Sequence, residues 1–226
     1  MNLFYSNDQY IEKAYIIQIN NKQSIKLGKR CAKSCEKVKM DYEFWKGYDG
    51  TDPDKSIIVP DHLKDNPFMS MLKVDNQFMI KAEVACALSH ISLWAHCVKI
   101  QKPIVILEHD AIMIEKIHMV KIPNSIVFMG CNEWHKNGYD GISPPLYNYG
   151  LNKRFIMRAH AYAIDPFIAK NFLSEILKRG IWDPFDVMIK SDLFNITQQG
   201  FFAYDEPDGT TIKHRYDKPK TLNESY

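Results

Sequence analysis

Apolar and polar positions predict strands and helices in turn from the start of the chain. A run of β-branched and aromatic residues at 14–19 predicts a buried strand, and apolar residues then recur at helical spacing over 27–38. Residues 42–45 predict a second strand, which the turn signal Asp49-Gly50 closes. The chain therefore opens with a strand–helix–strand unit, which is typical of α/β proteins.

The central part of the chain carries the clearest helical pattern. Residues 83–100 place apolar side chains on one face of a helix, and Pro103 ends it. The continuous apolar run 104–107 is typical of a central parallel strand, and 126–129 predicts a further buried strand.

The C-terminal half begins with a stretch that lacks periodicity. Residues 131–153 predict a long loop, and a loop of this length in a compact domain is often functional. Residues 155–164 predict a strand, and 165–180 predict a helix that begins with Asp-Pro and ends with Gly. Asp183-Pro184 repeats the same helix-start signal, and 200–204 predict a last strand.

This order of elements predicts an α/β fold with a mostly parallel central sheet flanked by helices. We expect a single domain over 1–226, with a long loop at 131–153 and a basic C-terminal tail at 205–226. A domain of this size buries roughly 70% of its unfolded surface and needs no disulfides for stability.

Composition narrows the class of protein and its compartment. The net charge of +2 gives no case for binding nucleic acid. Five cysteines without a CxxC pair indicate reduced thiols. The start of the chain shows no signal peptide, and no apolar run approaches the ~20 residues of a membrane span. We therefore expect a cytoplasmic protein, peripheral at most on a membrane.

The triplet Glu108-His109-Asp110 is the first candidate for chemistry. Its two carboxylates directly follow the strand predicted at 104–107, and ligands of open α/β sheets bind at that edge. Close carboxylates repel each other unless a cation lies between them, and divalent cations that prefer oxygen also bind phosphate. The triplet indicates a metal–diphosphate site, although a plain polar strand end remains the alternative.

Several segments, in the order of one known enzyme family, strengthen the metal–diphosphate interpretation. The helix AEVACALSHISLW at 82–94 is followed by IVILEHDA at 104–111. Further segments that match are 14–20, 45–50, 159–164, 183–186 and 210–212. In these segments the chain resembles family 25 glycosyltransferases, the lipopolysaccharide and collagen-type galactosyl- and glucosyltransferases.

The resemblance implies a GT-A-like nucleotide-sugar-binding fold and a divalent metal, Mn²⁺ or Mg²⁺. It also implies transfer of a hexose from a UDP-sugar, UDP-galactose or UDP-glucose, to a hydroxyl of a glycan or glycoconjugate. The chain departs from the family pattern where His109 replaces the middle acid of the triplet, and where Ala82 and Ala85 replace glycines. The family's Arg after the first strand is absent as well.

The expected metal ligands are Glu108, Asp110 and His214. Related enzymes can complete the metal site with a histidine near the C-terminus, and neutral imidazole suits Mn²⁺. Lys213 and Arg215 flank that histidine and could pair with phosphate oxygens. The alternative is a disordered basic tail.

Asp186 is the candidate catalytic base. Inverting transfer needs a carboxylate that accepts the proton of the attacking hydroxyl. The alternative role for Asp186 is to cap the helix predicted at Pro184, and Glu133 and Asp140 in the long loop are other candidates for the base.

Further residues are candidates for substrate binding: Asn20, Asp49, Glu83, His90, His109, His160, Lys213 and Arg215. His90 could instead be a satisfied core residue, Glu83 could favour the dipole of its own helix, and His109 could donate to a carboxylate. The aromatic residues of the long loop could form an acceptor platform, act as a lid or pack the loop down: Trp134, Tyr139, Tyr147 and Tyr149.

The sequence thus predicts a metal-dependent inverting glycosyltransferase. Two alternatives remain open at this point. One is a noncatalytic glycan- or nucleotide-binding member of the same fold, and the other is a metal-dependent phosphohydrolase that uses the same acidic pair.

Overall fold

The structure of the chain is a computed structural model. It describes residues 11, 13–74, 79–115, 126–132, 147–149, 153–155, 159–190, 193 and 196–205. The strands are β1 (Lys13–Gln18), β2 (Asp41–Lys46), β3 (Ile104–Glu108), β4 (Ala111–Met113), β5 (Ile126–Asn132), β6 (Tyr147–Tyr149), β7 (Lys153–Phe155), β8 (Ala161–Ile164) and β9 (Ile196–Asp205). The helices are α1 (Lys22–Lys37), α2 (Pro67–Ser70), α3 (Lys81–Ile100), α4 (Pro166–Arg179) and α5 (Phe185–Met188), with a 3₁₀ turn at Asp61–Leu63.

The main sheet has the strand order β2-β1-β3-β8-β5-β9-β4, and it is mixed. β1 pairs in parallel with β2 and β3, and β5 with β9, whereas β8 runs antiparallel to both of its neighbours and β4 runs antiparallel to β9. Five of the seven described strands of this sheet, namely β1, β2, β3, β5 and β9, therefore run in one direction, as expected for a mostly parallel sheet, whereas β8 and β4 run opposite to them. No sequence pattern indicated these two exceptions, because a short buried strand carries no sign of its direction. The α/β class is confirmed, and the arrangement is consistent with a GT-A-like fold.

Local signals explain where the main helices begin and end. Asn21 caps α1 by accepting a hydrogen bond from the backbone N–H of Ser24 at 2.7 Å. Asp165 caps α4 in the same way from Ile168 at 2.8 Å, as the Asp-Pro signal predicts. Gly180 ends α4 with a positive φ of 79°, which favours glycine.

The region predicted as a long loop and the strand after it differ from expectation. β5 extends to Asn132, and β6 and β7 form an antiparallel pair, so strands occupy part of 131–153. The strand predicted at 155–164 is divided between β7 and β8. The predicted last strand lies inside the longer β9, whose final residue, Asp205, was assigned to the tail. The rest of that tail lies outside the described residues.

The sheet buries a different kind of side chain on each face. One face, which we call the aromatic face, packs under α3, α4 and α5, and its buried aromatic residues are Tyr15, Trp94, Phe128, Tyr162, Phe172 and Phe185. The other face, which we call the aliphatic face, packs under α1, and none of its described fully buried members is aromatic. The alternation of side chains along the strands produces this division: Tyr15 and Ile17 face one side, Ala14 and Ile16 the other.

Two predictions from composition can be compared with the described residues. The cysteines whose side chains are described are free thiols: Cys31, Cys35, Cys86 and Cys97. Among the described helices, none has the length and apolar character that crossing a membrane requires.

Candidate active site

An open cleft lies where β1 and β3 end and the first half of α3 passes over them. Counting the space open to solvent, its volume is about 550 Å³. Its lining residues are Ile17, Ile19, Tyr48, Gly50, Thr51, Ala82, Ala85, Cys86, Ser89, His90, Glu108, His109 and Asp110. The predicted triplet and the predicted helix therefore meet in one cleft.

Glu108 is the last residue of β3, and the sheet fixes its backbone. It lies opposite Ile17 of β1, and its N–H donates to the carbonyl of His160 at 2.9 Å. Its side chain is 27% exposed, so the carboxylate can reach a ligand in the cleft.

Asp110 lies in the turn between β3 and β4 and is buried, with 7% of its surface exposed. Burial, followed by the charge of Glu108, raises the pKa of Asp110 to about 6. Its Oδ1 is buried and has no hydrogen-bond partner among the described residues. A buried carboxylate oxygen without a partner is unfavourable, and a bound cation would remove that penalty.

The two carboxylates have the chemistry that a hard divalent cation requires. Mg²⁺ and Mn²⁺ prefer oxygen ligands and share their coordination with phosphate oxygens. Asp110 supplies an oxygen that has no hydrogen-bond partner among the described residues, and Glu108 supplies a half-buried carboxylate in the same cleft. The residues present therefore fit such an ion.

A buried chain of hydrogen bonds leads from the aromatic face to Glu108. The indole N–H of Trp94 donates to the hydroxyl of Tyr162 at 2.8 Å, and that hydroxyl lies 2.9 Å from Nδ1 of His90. Nε2 of His90 lies 3.1 Å from Oε1 of Glu108. The ring of His90 stacks on Phe185 with centroids 4.0 Å apart, and burial lowers the pKa of His90 to about 3.

Cys86 is a neighbour of Glu108 that sequence reasoning did not assign to the site. Its Sγ donates to Oε1 of Glu108 at 3.9 Å, and burial raises the pKa of its thiol well above the usual range. The candidate ligand atoms of Cys86, His90 and Glu108 all lie within 4.8 Å of one another, so this group could also hold a metal ion. Cys86 and His90 are four residues apart on α3, and this spacing was the signal that could have identified the pair.

Asp186 lies in the first turn of α5 and is half-buried. Its Oδ1 accepts a hydrogen bond from the N–H of Val187 at 3.0 Å, so it interacts with the backbone of its own turn. Its negative charge opposes the effect of burial on the pKa of His90 and adds to the effect of burial on Cys86. These effects indicate that Asp186 lies near the cleft, although it is not a lining residue.

The segment 47–51 forms one wall of the cleft and packs closely on α3. The N–H of Tyr48 donates to Oγ of Ser89 at 2.9 Å. A Cβ atom at Gly50 would lie 2.3 Å from the carbonyl oxygen of Lys81, so only glycine allows the wall to approach the helix this closely.

The remaining candidates for substrate binding that the structure describes lie at or near the cleft, but most of them do not line it. Asn20 is exposed just before α1, and the carboxylate of Asp49 accepts from the N–H and hydroxyl of Thr51 at 3.0 and 2.6 Å. Glu83 accepts the N–H of Ile80 at 3.0 Å, which supports its role at the start of α3. His109 lines the cleft.

His160 is buried, with 2% of its surface exposed, and lies edge-on to Phe128. Several other candidates lie outside the described residues, namely Lys213, His214, Arg215, Glu133, Asp140, Trp134 and Tyr139. The side chains of Tyr147 and Tyr149 are likewise not described. Their predicted roles stay predictions.

Comparison with known proteins identifies a family whose model matches this chain. The model of glycosyltransferase family 25, described as an LPS biosynthesis protein, matches residues 11–148, which is more than half of the chain. The match includes the cleft residues of β1, α3 and β3 and ends before Asp186 and the C-terminal segments. A search among curated proteins finds no match.

Proposed function

This chain belongs to glycosyltransferase family 25 and is a glycosyltransferase, and we propose that it moves a hexose from a UDP-sugar to a hydroxyl of a glycan or glycoconjugate, with inversion and with a divalent cation. The observation that carries the proposal is the pair Glu108 and Asp110 in one cleft, with a buried oxygen of Asp110 that lacks a described partner. The family description suggests an acceptor of lipopolysaccharide type.

The two carboxylates share one role in this proposal. Glu108 and Asp110 would hold Mn²⁺ or Mg²⁺ at the end of β3 and would thereby orient the donor diphosphate. An ion held there would supply positive charge to stabilise the leaving diphosphate. His214 completes the ligand set, and Lys213 and Arg215 pair with phosphate oxygens; these three belong to the tail beyond the described residues.

Asp186 is the proposed catalytic base. A single displacement with inversion needs a carboxylate that accepts the proton of the acceptor hydroxyl as its oxygen attacks the anomeric carbon. Asp186 supports this role because it is half-buried and its charge acts on His90 and Cys86, which line the cleft. Glu133 and Asp140 are the other candidates for the base.

The remaining predicted contacts complete the proposal. Five further residues contact the donor or hold donor-binding residues in place: Asn20, Asp49, Glu83, His109 and His160. We place the enzyme in the cytoplasm, as one domain over 1–226, with a peripheral encounter with a membrane-bound acceptor. Family membership favours this reaction over hydrolysis of simple phosphate esters.

The first experiment measures donor binding and use. Thermal shift with UDP-galactose and UDP-glucose, with and without Mn²⁺, should show stabilisation that requires both components, because only a bound ligand stabilises by mass action. Asp110→Asn should abolish the Mn²⁺-dependent shift and reduce release of free sugar from the donor. Asp65→Asn is the matched control, since Asp65 is exposed and away from the cleft.

Two results would contradict the proposal. Donor binding by Asp110→Asn equal to that of the unmodified chain would exclude a metal role for Asp110. Release of inorganic phosphate from simple esters, without release of sugar from any UDP-sugar, would favour a phosphohydrolase.

A further inference from the structure

We infer that His90 is a positioning residue: Trp94 and Tyr162 fix it as the tautomer with hydrogen on Nε2, and this N–H holds the carboxylate of Glu108 in the cleft. The inference rests on the proposed function for the role of Glu108. By this inference, the buried polar side chains of the aromatic face support the site from below. His90 is 0% exposed, and Trp94 and Tyr162 do not line the cleft.

The direction of the hydrogen bonds follows from the donor that begins the chain. An indole N–H can only donate, so the oxygen of Tyr162 accepts from Trp94. The hydroxyl hydrogen of Tyr162 then needs an acceptor, and Nδ1 of His90 at 2.9 Å is the one that the described residues offer. Nδ1 therefore accepts and carries no hydrogen.

A neutral imidazole has one N–H, so its hydrogen lies on Nε2. The ring is fully buried and stacks on Phe185 with an interplanar angle of 11°, and such surroundings favour the neutral form. Nε2–H lies 3.1 Å from Oε1 of Glu108 and donates to it. The carboxylate is thus held by a donor whose own orientation is fixed by two further side chains.

The same oxygen of Glu108 receives a second contact from α3. The thiol of Cys86 lies 3.9 Å from Oε1, so both side-chain donors converge on one edge of the carboxylate. A carboxylate fixed in this way presents a defined orientation to a cation, and such supporting hydrogen bonds commonly contribute 10–100-fold to metal affinity or activity.

Two substitutions at His90 separate positioning from packing. In His90→Gln the amide N–H₂ takes approximately the place of Nε2 and can still donate to Glu108, whereas in His90→Asn the shorter amide reaches only the place of Nδ1. We expect His90→Asn to weaken Mn²⁺ binding and lower kcat by about 10–100-fold, with KM for the acceptor unchanged. We expect His90→Gln to recover most of both.

A second measurement does not depend on activity or metal. In metal-free protein labelled with ¹⁵N at histidine, the two-bond ¹H–¹⁵N spectrum reports which ring nitrogen carries hydrogen. The signals of His90 are those that disappear in His90→Gln, and we expect the Nε2–H pattern. Tyr162→Phe removes the donor to Nδ1 and should change the pattern or broaden it by exchange between tautomers.

The outcomes distinguish this inference from the proposed function. An Nδ1–H or imidazolium pattern for His90, or equal losses in folded His90→Gln and His90→Asn, would overturn the positioning role. If the unmodified chain neither binds Mn²⁺ nor uses a UDP-sugar, the proposed function fails, and the spectrum still decides the tautomer. If His90→Asn does not fold, the spectrum of the unmodified protein decides alone.

Discussion

The two faces of the sheet support the candidate site in different ways. On the aromatic face, Trp94, Tyr162 and His90 form a hydrogen-bonded chain that ends on Glu108. On the aliphatic face, α1 packs Cys31 and Cys35 against small and branched side chains of the strands. Both faces contain fully buried side chains, but among the described residues the side-chain donors to Glu108 come from the aromatic face.

The two carboxylates reflect this difference. Glu108 lies beside the donors of the aromatic face and is half-buried. Asp110 is buried, and its charge acts on Cys31 of the aliphatic face. Glu108 is therefore oriented by hydrogen bonds, whereas burial raises the pKa of Asp110. The two carboxylates should respond differently to mutation, to pH and to metal.

The largest expected effect is on the aromatic face. Trp94 is fully buried, packs on Phe172 with centroids 3.8 Å apart, and donates to Tyr162. Trp94→Ala should lower the free energy of unfolding by about 3–5 kcal/mol because it leaves a cavity and an unmatched hydroxyl. Urea denaturation measures this loss. Trp182→Ala is the control, since Trp182 is only partly buried. Equal losses in both variants would show that the burial and hydrogen bond of Trp94 add no stability beyond that of a partly buried tryptophan.

A smaller effect should appear in the pH dependence of metal-free protein. The pKa of Asp110 is raised to about 6 in the folded chain, above its value of about 4 when unfolded. Its neutral form is therefore favoured on folding, and stability is lost as the pH rises from about 4 to about 6. The loss should reach roughly 3 kcal/mol and be absent in Asp110→Asn.

The measurement is the difference between the two unfolding free energies at a series of pH values, in the presence of chelator. Addition of Mn²⁺ at pH 7 should stabilise the unmodified chain and not the variant. A difference that is constant from pH 4 to pH 7 would show that Asp110 is not desolvated as the structure describes.

The smallest effect belongs to the aliphatic face. Ile16→Val removes one buried methylene and should cost about 0.5–1.5 kcal/mol in unfolding, with Mn²⁺ affinity and kcat unchanged. Denaturation and donor turnover measured on one preparation test both statements. A change in turnover comparable to that of His90→Asn would mean that the aliphatic face also positions the site.

The sequence was sufficient for the parts of the site that are local along the chain. A continuous apolar run and the carboxylates after it placed Glu108 and Asp110 at the end of β3, and helical spacing predicted α3. Tyr162 lies 72 residues from His90, so no local pattern could pair them. The direction of β8, which brings Tyr162 under α3, depends on that same long-range packing.

Cys86 illustrates a different limit. Its neighbours in the sequence are apolar, and its spacing of four residues from His90 is the one local feature that could have distinguished it on α3. Its contact with Glu108 depends on the point along β3 at which α3 crosses the strand, and packing between elements determines that point. The three residues of β4 were missed because so short a strand leaves no periodicity.

The close approach at Gly50 has a consequence for how this enzyme could change its substrate. A side chain at position 50 would collide with the carbonyl of Lys81, so mutation there cannot reshape the cleft without displacing the start of α3. Thr51, next along the same wall, is exposed and faces no such restriction. Substitutions that reshape this wall of the cleft should therefore be tolerated at position 51 and not at position 50.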